Sequence, residues 1–205
     1  MIKNAIVGQS GGPTSAINAT LAGVIEKCLQ SEEIGILYGA VHGIDGLLKE
    51  EIINLNNVFE DKENIDLLKV TPSSYLGSCR YKLKEEEVDS VFEVFEKYNI
   101  GYFFYIGGND SMDTVAKLSA SAKKHDVKII GVPKTIDNDL WGTDMTFGFQ
   151  SAVDIATNTI DCIHTTATAH SRVFIVEIMG HRVGWVALHA GIAGGADIIL
   201  LPEIR

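Results

Sequence analysis

Six apolar runs, each closed by glycine or proline, set the limits on what this chain can fold into. They are "KNAIVG" at 3–8, "IGILYGAVHG" at 34–43, "IGYFFYIGG" at 100–108, "VKIIGVP" at 127–133, "RVFIVEIMG" at 172–180 and "ADIILLPE" at 196–203. Runs of this length without polar alternation read as strands covered on both faces, as in a parallel sheet flanked by helices. Helical spacing fills the intervals. Ile17, Leu21, Val24 and Cys28 share one face, and Val88, Val91, Phe92 and Phe95 another with acids opposite. Val115 and Leu118 mark a further helix, "FGFQSAVDIATNTIDCIHTTA" a long one, and "VGWVALHAGIAGG" one ended by glycines. "GIDGLLKEEI" reads as a short turn and edge segment, and residues 55–84 are the least regular part. The fold class is therefore α/β.

In an open parallel sheet, ligands bind beyond the carboxyl ends of the strands. "GQSGGP", "GGNDS", "PKTIDND", "MGHRVG" and "PE" each follow one of the expected strands. In the first, Gly11 and Gly12 stand between a strand and a helix start, where backbone N–H groups suit a phosphate; a plain tight turn uses the same residues. It is neither a dinucleotide fingerprint nor a P-loop. In the second, Asp110 or Ser111 can cap the following helix, and Asn109 and Asp110 add oxygens. In the third, Asp137 and Asp139 lie two apart beside Lys134. A carboxylate there can serve as general base and the ammonium can neutralise phosphoryl charge, whereas an Asx-rich turn with a solvated lysine is the bland alternative.

Composition narrows the function classes. A formal charge of −10 with a pI near 5.0 argues against a nucleic-acid partner, which needs a basic face. Cys28, Cys79 and Cys162 form neither a metal-spaced pair nor a disulfide framework, and Cys28 and Cys162 read as buried small apolar residues. No segment has membrane-spanning length and no signal peptide is evident, so a cytoplasmic protein without a membrane partner is expected.

Taken in order, the paired glycines, "GSCR", "GGNDS", "PKTIDND", "RVFIVEIMG" and the late "PE" resemble the phosphofructokinase family, from one end of the chain to the other. The resemblance implies two Rossmann-like domains, with residues 1–143 forming the phosphate-donor domain and 144–205 part of the sugar-phosphate domain. Family members continue well beyond "LLPE", so the second domain is expected to be incomplete, as in a C-terminally truncated chain, with core surface exposed.

The implied chemistry is phosphoryl transfer to the 1-hydroxyl of fructose 6-phosphate, a step of glycolysis, with Mg2+ as cofactor. By the same resemblance Asp137 is the catalytic base and Asp139 an accessory carboxylate. Thr135, Ile136, Met179, Gly180, His181 and Glu203 contact the sugar phosphate, and Arg172 reaches it from a neighbouring subunit, which favours a homo-oligomer, a dimer or tetramer. Gly11, Gly12, Arg80, Asn109, Ser111 and Lys134 hold the donor phosphates, with Asn109 at the metal position. ATP-dependent members have glycine where this chain has Asp110 and Lys134, and that pair resembles the pyrophosphate-dependent branch. A carboxylate at 110 would repel a nucleotide's α-phosphate, while Lys134 would stabilise charge developing on pyrophosphate. The reaction would then run reversibly between pyrophosphate with fructose 6-phosphate and phosphate with fructose 1,6-bisphosphate. Two departures stand out: Asn109 replaces an aspartate, and "MGHRVG" inverts the arginine–histidine order. The alternatives are an ATP-dependent 6-phosphofructokinase and a non-catalytic fragment.

Overall fold

The apolar runs become strands where they find neighbours. The computed structural model describes residues 2–204. Its described residues fall into two units divided between Lys134 and Thr135. In the first, the strands are β1 (Lys3–Gln9), β2 (Ile34–Ala40), β3 (Ile52–Asn54), β4 (Ile100–Gly107) and β5 (Lys128–Thr135), only the last residue of which belongs to the second. Their spatial order is β3-β2-β1-β4-β5. β1 runs parallel to both β2 and β4, with Ala5 opposite Leu37 on one side and Tyr102 on the other. β5 is parallel to β4. β3 is an antiparallel edge strand, Tyr38 lying opposite Asn54.

Side chains alternate across this sheet and feed two separate cores. On one face Ala5, Val7, Leu37 and Ile106 meet Ile17, Leu21 and Ile25 of α1 (Ser15–Leu29). On the other, Ile6, Phe103 and Tyr105 meet α2 (Gly43–Leu48) and further helices. α3 (Leu55–Val58) and α4 (Lys62–Val70) join the first core through Leu55, Ile65 and Leu68. α5 (Val88–Lys97) and α6 (Asn109–Ala122) join the second through Val91, Phe92, Phe95 and Leu118. Each such fully buried apolar side chain contributes about 1.5–3 kcal/mol. Residues 55–84 thus contain two helices that apolar spacing alone did not announce. Their starts are set by caps: Asn54 accepts from the N–H groups of Asn56 and Asn57, and Asp61 from that of Glu63. Residues 43–48 are likewise a helix where a turn was expected.

The second unit is built on β6 (Phe147–Gly148), α7 (Phe149–His170) and α8 (Trp185–Ala193). Phe149, Val153 and Val186 form its small core, with Ala152, Ala156 and Ile178 against them. The runs at 172–180 and 196–203, expected as strands, have no regular strand structure. Val173 is 92% and Ile175 94% exposed. Strand propensity expresses packing against neighbouring strands, and these segments have none to pack against. An apolar groove of about 520 Å³ is lined by Ile160, Phe174, Ile178, Ile199 and Leu200. Cys28 is buried as expected, whereas Cys162 on α7 is exposed.

Candidate active site

Parallel strand direction brings the ends of β1, β4 and β5 to one edge, and the polar clusters of the first unit gather there. After β1 the chain turns through Gly11, whose φ of +80° favours glycine, before α1 begins. A Cβ at Gly11 would sit 3.5 Å from Lys134 Nζ and 3.8 Å from the backbone nitrogen of Gly108. The two glycine turns and the lysine therefore adjoin. Lys134, on β5, is only 3% exposed, and its ammonium donates to the Gly12 carbonyl at 2.5 Å. A buried cation must be hydrogen-bonded to be tolerated, so this lysine is part of the loop architecture and no solvated turn residue.

The "GSCR" segment closes the other side. Ser78 Oγ donates to the Gly11 carbonyl at 2.6 Å, and Ser10 Oγ to that of Cys79 at 3.3 Å. Arg80 follows, exposed. Beneath lies Tyr105, whose hydroxyl accepts from Ile44 N–H at 3.2 Å and stands 3.8 Å from Cys79 Sγ. Burial pushes its phenol well above the ordinary value, so it stays protonated.

After β4 the expected side-chain cap is absent. Gly108 is the N-cap, without a side-chain bond, and Asn109 already begins α6. Asp110 therefore lies in the first turn, where a carboxylate is favoured by the helix dipole. It pairs with Lys82 at 3.1 Å, both largely exposed. Ser111 is buried with its hydroxyl against the strand end, since a Cβ on Gly107 would fall 2.0 Å from Ser111 Oγ. Asn109 is exposed.

In the second unit the segment 135–139 is half-buried and laced to the loop that follows it. Thr135 Oγ1 accepts from Asp137 N–H at 3.2 Å, and the Thr135 carbonyl from Thr146 Oγ1 at 2.7 Å. Asn138, at a φ of +55°, accepts from Thr146 N–H at 2.9 Å and donates to the Asp144 carbonyl at 3.3 Å. This lacing fixes the backbone on both sides of Asp137 and just before Asp139. Further along, a turn is closed by Val183 N–H on the Gly180 carbonyl at 2.8 Å. Glu203 Oε1 accepts from Gly184 N–H at 2.8 Å. The structure thus brings Glu203 to the turn that carries Gly180 and His181, with Met179 and His181 exposed. Arg172 is exposed at the end of α7, its N–H bonded to the Ala167 carbonyl at 3.0 Å.

Sequence reasoning missed Lys82, Ser10 and Ser78 as members of the cluster around the glycine loop and the start of α6. Ser78 sits inside the "GSCR" segment, which was a usable signal; nothing local marks Lys82 as the partner of Asp110.

The family model for phosphofructokinase matches residues 4–205. The chain belongs to the phosphofructokinase family. An ATP-dependent 6-phosphofructokinase 3 of Bacteroides thetaiotaomicron is 41% identical over 203 residues, 95% of this chain and 57% of the relative. A pyrophosphate–fructose 6-phosphate 1-phosphotransferase of Halomonas elongata is 40% identical over 218 residues, 98% of this chain and 52% of the relative. A solved pyrophosphate-dependent phosphofructokinase from Nitrosospira multiformis superposes with a TM-score of 0.91 at 39% identity, over 100% of this chain and 54% of its own. The chain thus spans about half the length of the curated relatives it matches. Among the described residues no helix is long and apolar enough to cross a membrane.

Proposed function

We propose that this phosphofructokinase-family chain carries the donor site, and part of the sugar site, of a pyrophosphate-dependent 6-phosphofructokinase. The observation that carries the reading is Lys134, buried and bonded to the glycine loop at the position where a donor's phosphates would lie against backbone N–H groups. In this reading the 1-hydroxyl oxygen of fructose 6-phosphate bonds to one phosphorus of pyrophosphate. The bridging oxygen leaves with orthophosphate, and Asp137 takes the hydroxyl proton. Lys134 stabilises charge growing on the leaving phosphate, and Asp139 supports the transferred group. Asp110, which pairs with Lys82 at 3.1 Å, would oppose a nucleotide's α-phosphate by its bulk and charge. Glu203 and the turn at 179–181 would contact the sugar, and Arg172 its phosphate from a second copy.

Mg2+ suits this donor set. Asn109, an exposed residue at the start of α6, carries a side-chain oxygen, and Mg2+ is commonly held by one or two side-chain oxygens with substrate phosphates and water. No group of three or more His, Cys, Asp or Glu residues is assembled among the described residues, so no all-protein cage is invoked. The ion, when bound, supplies charge neutralisation on the diphosphate.

The names of the Halomonas and Nitrosospira relatives support pyrophosphate, and that of the Bacteroides relative supports the alternative, ATP. A donor-swap assay with fructose 6-phosphate and Mg2+ decides between them. Pyrophosphate should be the better donor, and Asp137→Asn should lower transfer about 10²- to 10⁴-fold while leaving pyrophosphate binding intact. Preference for ATP by the unaltered protein would overturn the donor assignment. Replacing both Asp110 and Lys134 by glycine should weaken pyrophosphate use selectively.

A further inference from the structure

Two buried amides lie just behind the glycine loop. Gln9, the last residue of β1, is 0% exposed and Asn18, in the first turns of α1, is 1% exposed. A buried amide is costly unless its hydrogen-bonding capacity is met. Both are saturated. Gln9 Nε2 donates to the Ile17 carbonyl at 3.1 Å and to Asn18 Oδ1 at 3.2 Å. Gln9 Oε1 accepts from Ser74 Oγ at 2.9 Å and from Leu76 N–H at 2.8 Å. Asn18 Nδ2 donates to the carbonyls of Thr71 at 2.9 Å and Pro72 at 3.4 Å, and Asn18 Oδ1 also accepts from Tyr75 N–H at 2.8 Å.

Every bond outside the pair and Ile17 reaches the segment 71–76. That segment leads directly into Ser78, whose hydroxyl holds the Gly11 carbonyl, and then into Arg80. The segment contributes no helix or strand of its own between Val70 and Glu85, so beyond the His42 N–H on the Leu76 carbonyl at 2.7 Å and the buried Leu76 side chain it is held by these side-chain bonds. The orientation of the two amides is also determined. Turning either one over would set N–H against N–H and oxygen against carbonyl.

We infer that Gln9 and Asn18 are positioning residues that lock the 71–80 loop onto the glycine loop, and so set Arg80 for the donor diphosphate. This rests on the donor-site reading given above. The lock acts through the backbone; neither amide touches the ligand.

The test uses isosteric changes. Asn18→Asp puts an oxygen against the Thr71 and Pro72 carbonyls, and Gln9→Glu puts one against Ile17 and Asn18. In the ligand-free protein, amide exchange at Tyr75 and Leu76 should accelerate about tenfold or more in each variant, with the amides of β4 unchanged. By calorimetric titration with pyrophosphate, each variant should bind about tenfold more weakly. Arg80→Ala should do the same, and the double variant with Asn18→Asp should lose little more, because both act on one contact. Exchange and affinity both unaltered in the two amide variants would overturn the lock. Losses that add fully with Arg80→Ala would overturn its action through Arg80. No pyrophosphate binding by the unaltered protein would instead remove the donor reading, and the exchange measurement would still decide whether the amides hold the loop.

Discussion

The first unit and the second use the same kinds of sequence with opposite results. In "IGYFFYIGG", Phe103 is fully buried between β1, β5 and the helix face of Phe95. In "RVFIVEIMG", an equally apolar run, Ile175 lies almost wholly in solvent and no strand forms. Intrinsic preference does not separate the two. β4 has a parallel partner on each side to take up its N–H and C=O groups, and a helix layer on each face to take up its side chains. The later run has neither in its own unit, where α7 and α8 offer a core of a few residues. A strand is a property of its neighbours as much as of its residues.

The widest margin of this comparison lies in backbone protection. Amides of β4 should exchange about 10³-fold or more slowly than those at 173–178, because the former open only with the sheet and the latter have no ladder to break. Comparable protection in the two segments would show that the later run is paired in solution after all. A mutational contrast follows on a smaller scale. Phe103→Ala should cost about 3–5 kcal/mol in denaturant unfolding, whereas Ile175→Ala should stay within about 0.5 kcal/mol. A large loss at Ile175 would mean that its side chain is covered.

This contrast also explains what could be read in advance. β1, β2, β4 and β5 were legible because each holds an apolar run bounded by glycine or proline, although β5 continues through Pro133 to Thr135, and the glycines then placed the polar clusters on one edge. Lys134 stood out by its position in "PKTIDND", but its burial did not, since that depends on a carbonyl 122 positions away. Gln9 and Asn18 bond to residues 53 to 67 positions away, and Asp110 meets Lys82 across 28, so no local pattern marks them. Helices α3 and α4 escaped because their caps, Asn54 and Asp61, sit in a stretch whose apolar spacing is thin. The expected strands at 172–180 and 196–203 failed for the opposite reason: the local signal was strong and the partners were missing.

The cysteines test the same contrast most gently. Cys28 lies in the packed face of α1, and burial pushes its thiol up to about 11. The thiolate is the reactive form, so at pH 8 only about one molecule in 10³ carries it, and the reagent must still reach it through the core. Cys162 stands exposed on α7. A thiol-specific reagent added to the native protein should therefore modify Cys162 in its fastest phase and Cys28 only after denaturant is added, with peptide mapping to tell them apart. Raising the pH toward 11 should speed Cys28 while the fold holds, since each unit of pH below that value gives about tenfold more thiolate. Native labelling of Cys28 as fast as Cys162 would mean that α1 does not stay seated on the sheet, and the difference in packing between the two units would lose its clearest chemical sign.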